Sequence, residues 1–224
     1  MPSALNQAFQ CEAVPPEIMD QLWAAGWRHF GDLFFRYSET EDMGGLNHIT
    51  PLRMDLVRFT PSKSQRRVLR KNADLRTEFV PAELSADVHA MFEKHKARFQ
   101  TNVPEGLSSF LSQTPATVPC PCLACQVWSD GVLVAVSFLD IGAQATSSVY
   151  GIFDPDYSAR SLGIFTMLKE IEFSMARSSQ YYYPGYATHE PSAYDYKKKF
   201  AALEILDWET GTWQTLADRQ EAVE

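Results

Sequence analysis

The order of strand and helix signals in the second half of the chain constrains the fold most. An apolar hairpin is predicted over 125–140, because the Asp130-Gly131 dipeptide that interrupts it is typical of two-residue turns. A further strand follows over 145–154, then an amphipathic helix, then a strand over 180–186. This order predicts a mixed α/β (α+β) sheet with the N-terminus of a helix at its edge, where unpaired N–H groups attract an anion or a carbonyl.

Arg160-Ser161-Leu162-Gly163 lies at the predicted start of that helix. One interpretation is that the backbone N–H groups, together with Arg160 and Ser161, bind a phosphate or an oxyanion. The other is an ordinary capped helix in which Gly163 allows close packing. The four residues do not decide between the two.

The first half of the chain alternates short helices and strands. Helices are predicted over 15–27, 62–72, 82–99 and 104–112. Strands are predicted over 32–37 and 51–59, separated by a polar, glycine-rich stretch that we interpret as a loop.

The charge of the chain is uneven. The net charge of −8 argues against a protein that coats nucleic acid in general. Between residues 58 and 76, however, the sequence contains only one acidic residue, Asp74. The same stretch contains seven basic residues: Arg58, Lys63, Arg66, Arg67, Arg70, Lys71 and Arg76. The run predicts either a local basic binding surface or an ordinary solvated helix face.

The composition is that of a globular protein, with 224 residues, of which 45% are hydrophobic and 12% aromatic. The longest clean apolar run, Val132 to Val136, is too short to span a bilayer. The N-terminal residues lack the pattern of a secretion signal. A soluble cytoplasmic protein is therefore expected.

The cysteines form the pattern C-P-C-x-x-C, from Cys120, Cys122 and Cys125, with Cys11 far away in the sequence. Three clustered thiols make a weak candidate metal site, because the second ligand pair of a strong zinc motif is missing. Reduced, partly buried thiols are the alternative. A disulfide framework is not expected in a chain of this kind.

Five segments, taken together, carry a resemblance to a known family. They are GWRHFGDLFFRY (26–37), PLRMDLVRFTPSKSQRRVLRKNADL (51–75), LVAVSFLD (133–140), SSVYGIFDPDYSARSLG (147–163) and YYYPGYATHEPSAYDYKKKF (181–200). From about residue 11 to about residue 213, the chain resembles the aminoacyl-tRNA–protein transferases, which comprise arginyltransferases and bacterial leucyltransferases. The resemblance implies an N-acetyltransferase-like fold and transfer of an amino acid from aminoacyl-tRNA to the α-amino group of a protein or peptide.

The chain departs from the family pattern at one place. Members usually carry a cysteine cluster between the strands that correspond to 32–37 and 51–59, whereas the intervening residues contain no cysteine here. A metal or iron–sulfur cofactor is therefore not carried over, and aminoacyl-tRNA is the expected co-substrate. The expected regions are an N-terminal family region (9–80), a helical segment (81–115), the transferase core (116–213) and an acidic tail (214–224).

The resemblance also implies roles for individual residues. The tRNA phosphates would be bound by basic residues of the 62–72 helix and one further lysine: Lys63, Arg66, Arg67, Arg70 and Lys197. The substrates would be bound by Asp140, Tyr150, Arg160, Ser161, Tyr182 and Tyr196. The residues expected nearest the chemistry are Tyr186, Asp154, Glu204 and His189. Among these, the tyrosines would stack on the terminal adenosine, the aspartates would receive the acceptor ammonium, and His189 or Glu204 would act as base.

Two other functions remain open at the level of the sequence. One is an acyl-CoA-dependent N-acyltransferase, since the helix start at Arg160 would suit a pyrophosphate. The other is a non-catalytic module that binds tRNA or protein N-termini. The basic helix favours tRNA over CoA, but neither the transferred amino acid nor the acceptor is determined.

Overall fold

The computed structural model describes residues 4–42, 45–99, 103–192 and 194–215. Near its N-terminus the chain forms a small antiparallel sheet of order β1-β3-β2, and helix α1 lies between the first two strands in sequence. The bounds are β1 (Asn6–Gln10), α1 (Pro16–Ala24), β2 (Arg28–Phe30) and β3 (Leu33–Tyr37).

The remaining strands form one nine-stranded sheet of order β12-β11-β5-β10-β9-β8-β7-β6, with β4 paired to β5. These strands are β4 (Glu39–Asp42), β5 (Gly45–Asp55), β6 (Arg76–Pro81), β7 (Cys122–Ser129), β8 (Val132–Ile141), β9 (Ala145–Phe153), β10 (Tyr181–Thr188), β11 (Leu203–Leu206) and β12 (Trp213–Thr215). The helices are α2 (Lys63–Lys71), α3 (Ala86–Lys96) and α4 (Leu162–Ala176), and short 3-10 helices span Leu107–Ser109, Pro155–Arg160 and Lys197–Lys199. The prediction of a mixed α/β sheet flanked by helices is confirmed.

The pairing of β9 with β10 is parallel and brief. It runs from Tyr181 opposite Ala145 to Tyr183 opposite Ser147, and beyond that point β9 pairs with β8 while β10 pairs with β5. Both strands are irregular where they part, because β9 shifts register on β8 after Ser148 and β10 contains Pro184, which has no N–H for a ladder. The two strands therefore separate into a V-shaped opening, which we call the splay.

The two faces of the large sheet carry different helices. Helices α4 and α2 cover one face, where Leu139, Leu168 and Ile171 belong to the same buried cluster. Helix α3 covers the other face, with Phe92 packed against Phe138. Because both faces are covered, consecutive residues of the central strands are buried, and the apolar run of β8 reads as continuous.

Several predicted elements are confirmed. The β7–β8 hairpin turns at Asp130-Gly131 with φ of 49° and 82°, the left-handed pair that this dipeptide favours. Helix α2 begins after Ser62, whose hydroxyl accepts the Gln65 N–H while the Gln65 side chain accepts the Ser62 N–H.

Other elements differ from the prediction. The stretch interpreted as a loop is the β4–β5 hairpin, with Glu39 opposite His48. The predicted helix over 104–112 is only one 3-10 turn. In α1 the buried residues are Met19 and Trp23, whereas Ile18 is exposed.

The acidic tail predicted from residue 214 lies outside the described residues, except for 214 and 215, which belong to β12. Within the described residues, the helices are too short or too polar to cross a membrane.

Candidate active site

The splay leaves two strand edges without sheet partners. From Ser148 onward the edge of β9 that faces β10 is not used by the sheet, and the same holds for the facing edge of β10 from Pro184 onward. Backbone N–H and C=O groups that no ladder uses need other partners, such as a bound substrate. The splay is therefore the natural binding cleft of this sheet.

The ammonium group of Lys197 lies at this cleft. Its Nζ donates to the Tyr186 carbonyl oxygen (3.3 Å) and lies 5.1 Å from the centre of the Tyr194 ring. A Cβ atom at Gly185 would approach Nζ to 3.3 Å, so the glycine leaves room for the ammonium beside β10. Burial, and then the nearby Arg28 guanidinium, lower the pKa of Lys197 to about 8.

Arg28 brings a second positive charge to the same place from β2. Its side chain is buried, with Nη2 donating to the Leu52 carbonyl oxygen (3.2 Å) and the guanidinium 5.0 Å and 5.5 Å from the ring centres of Tyr183 and Tyr186. Its Nε has no hydrogen-bond partner among the described residues. Burial lowers the pKa of Arg28 from its usual range, because it removes water from around the guanidinium.

Neither cation forms an ion pair with a carboxylate in the part of the chain that the structure describes. Two neighbouring charges with little water around them and no counter-ion create a strongly positive local potential. The arrangement therefore favours an anion, or an oxygen atom that becomes negative during a reaction.

Tyrosines line the opening around these cations. The Tyr186 hydroxyl donates to the Gly26 carbonyl oxygen (2.6 Å), and its ring meets the Tyr37 ring edge to face at 5.4 Å. Burial, together with the nearby Tyr194, raises the pKa of Tyr150 and of Tyr196 to about 12. Tyr194 itself is 55% exposed, which makes its ring a surface available for stacking.

Tyr182, which was expected to line the site, lies in the core instead. It is fully buried, and its hydroxyl donates to Glu170 Oε2 on α4 (2.6 Å). Burial raises the pKa of Glu170 to about 7, against the smaller opposing effect of the nearby Ser137, Tyr182 and Ser148 hydroxyls, of which Tyr182 hydrogen-bonds to it. This buried carboxyl is therefore close to half-protonated at neutral pH.

The start of α4 and the basic helix α2 lie side by side, since Val68 and Leu69 pack with Leu162 and Phe165. Arg160 forms a bidentate ion pair with Asp74 (2.8 and 2.9 Å) and so holds the end of α2 to this loop.

Ser161 adopts a left-handed conformation, with φ of 57°, and its side chain does not cap the helix. A Cβ at Gly163 would only touch the Phe153 ring at 3.7 Å, so packing does not demand this glycine. Because the Ser161 side chain does not cap α4, the N–H groups of the first turn of the helix can bind a phosphate.

The exposed side of α2 carries the predicted phosphate-binding residues. Arg66 donates to the Pro61 carbonyl oxygen, whereas Lys63, Arg67 and Arg70 are exposed and have no ion pair within the described residues. Because α2 packs on α4, this basic surface and the splay lie on neighbouring parts of one face.

The remaining predicted residues are not brought together. Asp140 lies near the end of β8, whereas Asp154 directly follows the antiparallel strand β9. The two side chains therefore lie at opposite ends of this strand pair, where Asp140 contacts His29 and Asp154 pairs with Lys94 (2.7 Å). Glu204 on β11 is two strands, or about 10 Å, from β10.

Glu204 forms ion pairs with Arg53 (2.7 Å) and Arg58 (2.8 Å), which favours a structural role. His189, just after β10, contacts the Thr50 hydroxyl (2.6 Å).

The three clustered cysteines lie on two different sides of the sheet. Cys125 faces Ser137 and the Glu170 side of the sheet, and burial raises its pKa. Cys120 and Cys122 lie on the other side, where burial is the main cause that raises their pKa values, followed by the negative charge of the nearby Asp140. The cluster of three cysteines expected from the sequence is thus split by the sheet.

Sequence reasoning missed Arg28, Glu170, Tyr37 and Tyr194 as members of the site or its support. The signal for Arg28 was present, because it falls inside GWRHFGDLFFRY, one of the segments that carry the resemblance. Its approach to β10 depends on how the small sheet docks on the large one, which no local pattern reveals.

Comparisons with known proteins decide the family. The model of the arginine-tRNA-protein transferase C-terminus matches residues 85–207, more than half of the chain. An aspartate/glutamate leucyltransferase of Marinobacter nauticus is 30% identical over 215 residues, which cover 91% of this chain and 84% of that protein. The chain belongs to the arginine-tRNA-protein transferase family. It is an aminoacyltransferase, and the predicted aminoacyl-tRNA-dependent transfer to protein N-termini is confirmed at the level of the family.

Other relatives of this transferase agree. The aspartate/glutamate leucyltransferase of Xylella fastidiosa is 30% identical over 207 residues, which cover 85% of the chain and 76% of that protein. Among solved structures, the C-terminal domain of a protein assigned as a lysylphosphatidylglycerol synthetase of Agrobacterium fabrum superposes with a TM-score of 0.52 at 15% identity. That alignment covers 81% of the transferase and 54% of the longer structure, and it supports the fold alone.

Proposed function

We propose that the splay between β9 and β10 holds the aminoacyl ester of the charged tRNA and the incoming α-amine. The observation that carries this proposal is the pair of cations without a carboxylate partner among the described residues, Lys197 and Arg28, beside β10 at the splay. An aminoacyl ester is already activated, so the protein mainly has to position the reactants and stabilise the developing charge. No cofactor is needed beyond aminoacyl-tRNA, and no protein nucleophile takes part.

The reaction forms one bond and breaks another. The neutral α-amine attacks the ester carbonyl carbon, a C–N bond forms, and the carbonyl oxygen becomes an oxyanion beside the Lys197 ammonium. The oxyanion collapses, the C–O bond to the terminal ribose breaks, and the ribose oxygen takes up the proton that the amine has lost. The acceptor amine has an ordinary pKa of about 7.7–8.0, so much of it is neutral near pH 8 without a dedicated base.

The tRNA approaches across α2 and the start of α4. Lys63, Arg67 and Arg70 contact phosphates of the acceptor end, and the bare first turn of α4 faces the terminal phosphate. The exposed Tyr194 ring stacks on the terminal adenine, since every base offers a flat face to an aromatic side chain.

The unpaired cations also suggest the donor and the acceptor. An acidic first residue of the acceptor would be attracted to Arg28 and Lys197, whereas an arginyl group of a donor would be repelled. The two leucyltransferase relatives described above are named aspartate/glutamate leucyltransferases. We therefore propose leucyl-tRNA as the donor and a peptide that begins with Asp or Glu as the acceptor.

Transfer of labelled leucine from charged tRNA to synthetic peptides tests this function. We expect product on peptides beginning with Asp or Glu, and at least about tenfold slower product on Asn or Gln peptides, which lack the charged hydrogen-bonding group. Arginyl-tRNA and acetyl-CoA serve as the other donor arms. Tight tRNA binding without transfer from any donor would indicate a binding module, and product from acetyl-CoA alone would indicate an N-acyltransferase.

Replacing Arg67 and Arg70 together by alanine should weaken tRNA binding and its dependence on salt. Two phosphate contacts are lost, so the slope of log affinity against log salt should become shallower by about 1.5. Filter retention of tRNA at a series of salt concentrations measures this.

The matched control for this pair is R76A/K96A, which removes two cations that already pair with Glu78 and Glu93. An unchanged slope in R67A/R70A would remove α2 from the tRNA-binding surface.

A further inference from the structure

Three buried side chains from distant parts of the sequence meet beneath the small sheet. They are His29 of β2, Cys120 in the segment before β7, and Asp140 near the end of β8, and each is less than 7% exposed. Their ligand-type atoms, one nitrogen, one sulfur and one oxygen, all lie within 4.8 Å of one another. The proposed transfer reaction uses none of them.

A hydrogen bond to the backbone fixes the orientation of the His29 ring. Its Nδ1 lies 2.9 Å from the Gly31 carbonyl oxygen, which cannot donate, so Nδ1 carries a proton and donates it. The other ring nitrogen, Nε2, then points at Asp140 Oδ2 at 2.5 Å. A backbone carbonyl that holds Nδ1–H and aims Nε2 is the usual support of a metal-binding histidine.

The cluster offers three kinds of ligand atom. Cys122, two residues after Cys120, is not part of it, because its thiol donates to the Leu123 carbonyl oxygen (3.8 Å). Imidazole, thiolate and carboxylate are the three ligand types of protein zinc sites.

The charges of such a site also balance. A divalent ion with one thiolate and one carboxylate is neutral, and neutrality removes the main penalty of burying an ion. In a tetrahedral zinc site the ligand atoms are roughly 3.3–3.8 Å apart, as follows from metal–ligand bonds of about 2.0–2.3 Å. The cluster needs only small side-chain shifts to reach this arrangement, with the His29–Asp140 hydrogen bond opening around the ion.

We propose that His29, Cys120 and Asp140 bind a zinc ion. Binding of the ion releases two protons to solvent. One comes from the Cys120 thiol and the other from the His29–Asp140 hydrogen bond. The three ligands are buried and take no part in the proposed transfer, so the ion supports the fold rather than the reaction.

The ion would connect the small sheet to the large one. His29 belongs to β2, whereas Cys120 and Asp140 belong to the large-sheet region, and Arg28 is the immediate neighbour of His29 on β2. Because consecutive strand residues point to opposite sides, fixing His29 also fixes the direction in which Arg28 reaches β10.

Cobalt substitution tests the site independently of enzyme activity. The purified chain is stripped with a chelator and titrated with Co²⁺, whose thiolate complexes absorb in the near ultraviolet, and metal content of the untreated protein is measured by mass spectrometry. We expect one ion per chain, a thiolate-to-cobalt band, and displacement of cobalt by Zn²⁺. Cys120→Ser should abolish the band, and His29→Gln should weaken binding at least about tenfold.

Cys125→Ser is the matched control, because Cys125 is equally buried and close in sequence but faces the other side of the sheet. It should keep both the ion and the band, and circular dichroism verifies that each variant is folded. Folded wild-type protein that binds neither Co²⁺ nor Zn²⁺ would overturn the proposal. A band that survives in Cys120→Ser but disappears in Cys125→Ser would overturn it as well.

Discussion

Replacing Lys197 by methionine should lower kcat for aminoacyl transfer by about 10²–10³, with little change in folding stability. Methionine keeps the apolar stem but removes the ammonium beside the Tyr186 carbonyl oxygen. Loss of one preorganised oxyanion donor typically has an effect of this size, because the charge it stabilises exists only in the transition state. Single-turnover transfer of labelled leucine to an acidic peptide measures the chemical step directly.

The pH dependence separates two roles for this lysine. Its pKa is lowered to about 8, so the ammonium is present below pH 8 and is lost as the pH rises through that value. Oxyanion stabilisation therefore decreases above about pH 8, whereas the acceptor amine becomes more reactive up to its pKa of about 7.7–8.0. We expect a bell-shaped profile for the wild type, and in Lys197→Arg a profile without the alkaline decline.

Lys199→Met is the control, since Lys199 is an exposed lysine two residues away in the same 3-10 helix. It should retain nearly the full rate. A wild-type rate in Lys197→Met would exclude the proposed role. A wild-type profile that only rises with pH would instead make Lys197 a general base.

Glu170→Gln should change the way stability depends on pH. Burial raises the pKa of this carboxyl from 4.5 to about 7, so between these values the folded state keeps a proton that the unfolded state releases. The wild type therefore loses stability as the pH rises from about 4.5 to 7, by about 3 kcal/mol in total. Glutamine is neutral throughout, so this loss should be absent in the variant.

Urea unfolding at a series of pH values measures the effect as a difference between variant and wild type. The unfolding free energy of Glu170→Gln, relative to the wild type, should rise by about 3 kcal/mol from pH 4.5 to 7 and stay level above that. Glu172→Gln is the control, because Glu172 lies on the same helix but is exposed and pairs with Lys169. A constant difference across this range would show that Glu170 is ionised in the folded protein.

Local patterns predicted those elements whose cause is local. The capping box at Ser62 and the left-handed turn at Asp130-Gly131 depend on residues only a few positions apart, and both are present as expected. The sequence did not predict the β4–β5 hairpin, because its polar residues resemble a loop. These residues form strands because β4 pairs with β5, which belongs to the large sheet. The short strands β2 and β11 carry too few residues for a periodic signal.

In the candidate site, too, some residues were predicted from the sequence and others were not. Lys197 and the basic residues of α2 were predicted, and the structure places Lys197 at the splay and α2 beside α4. Tyr182 could not be told from the tyrosines of the cleft, because a tyrosine in a strand buries its ring as readily as it exposes it. Asp140 lies near the end of one strand and Asp154 follows another, but only the antiparallel pairing shows that these strands end on opposite sides.

The sequence by itself determined the family, the mixed α/β class and the basic helix, because segment patterns and local turn chemistry carry that information. Only the tertiary structure decided which charges meet. Arg28 and Lys197 are far apart in the chain and become neighbours because the small sheet docks against β10 and β5. His29, Cys120 and Asp140 meet for the same reason, since β2 and β8 belong to different sheets. Such contacts arise from packing between sheets, which depends on the burial of both faces at once and leaves no periodic trace in the sequence.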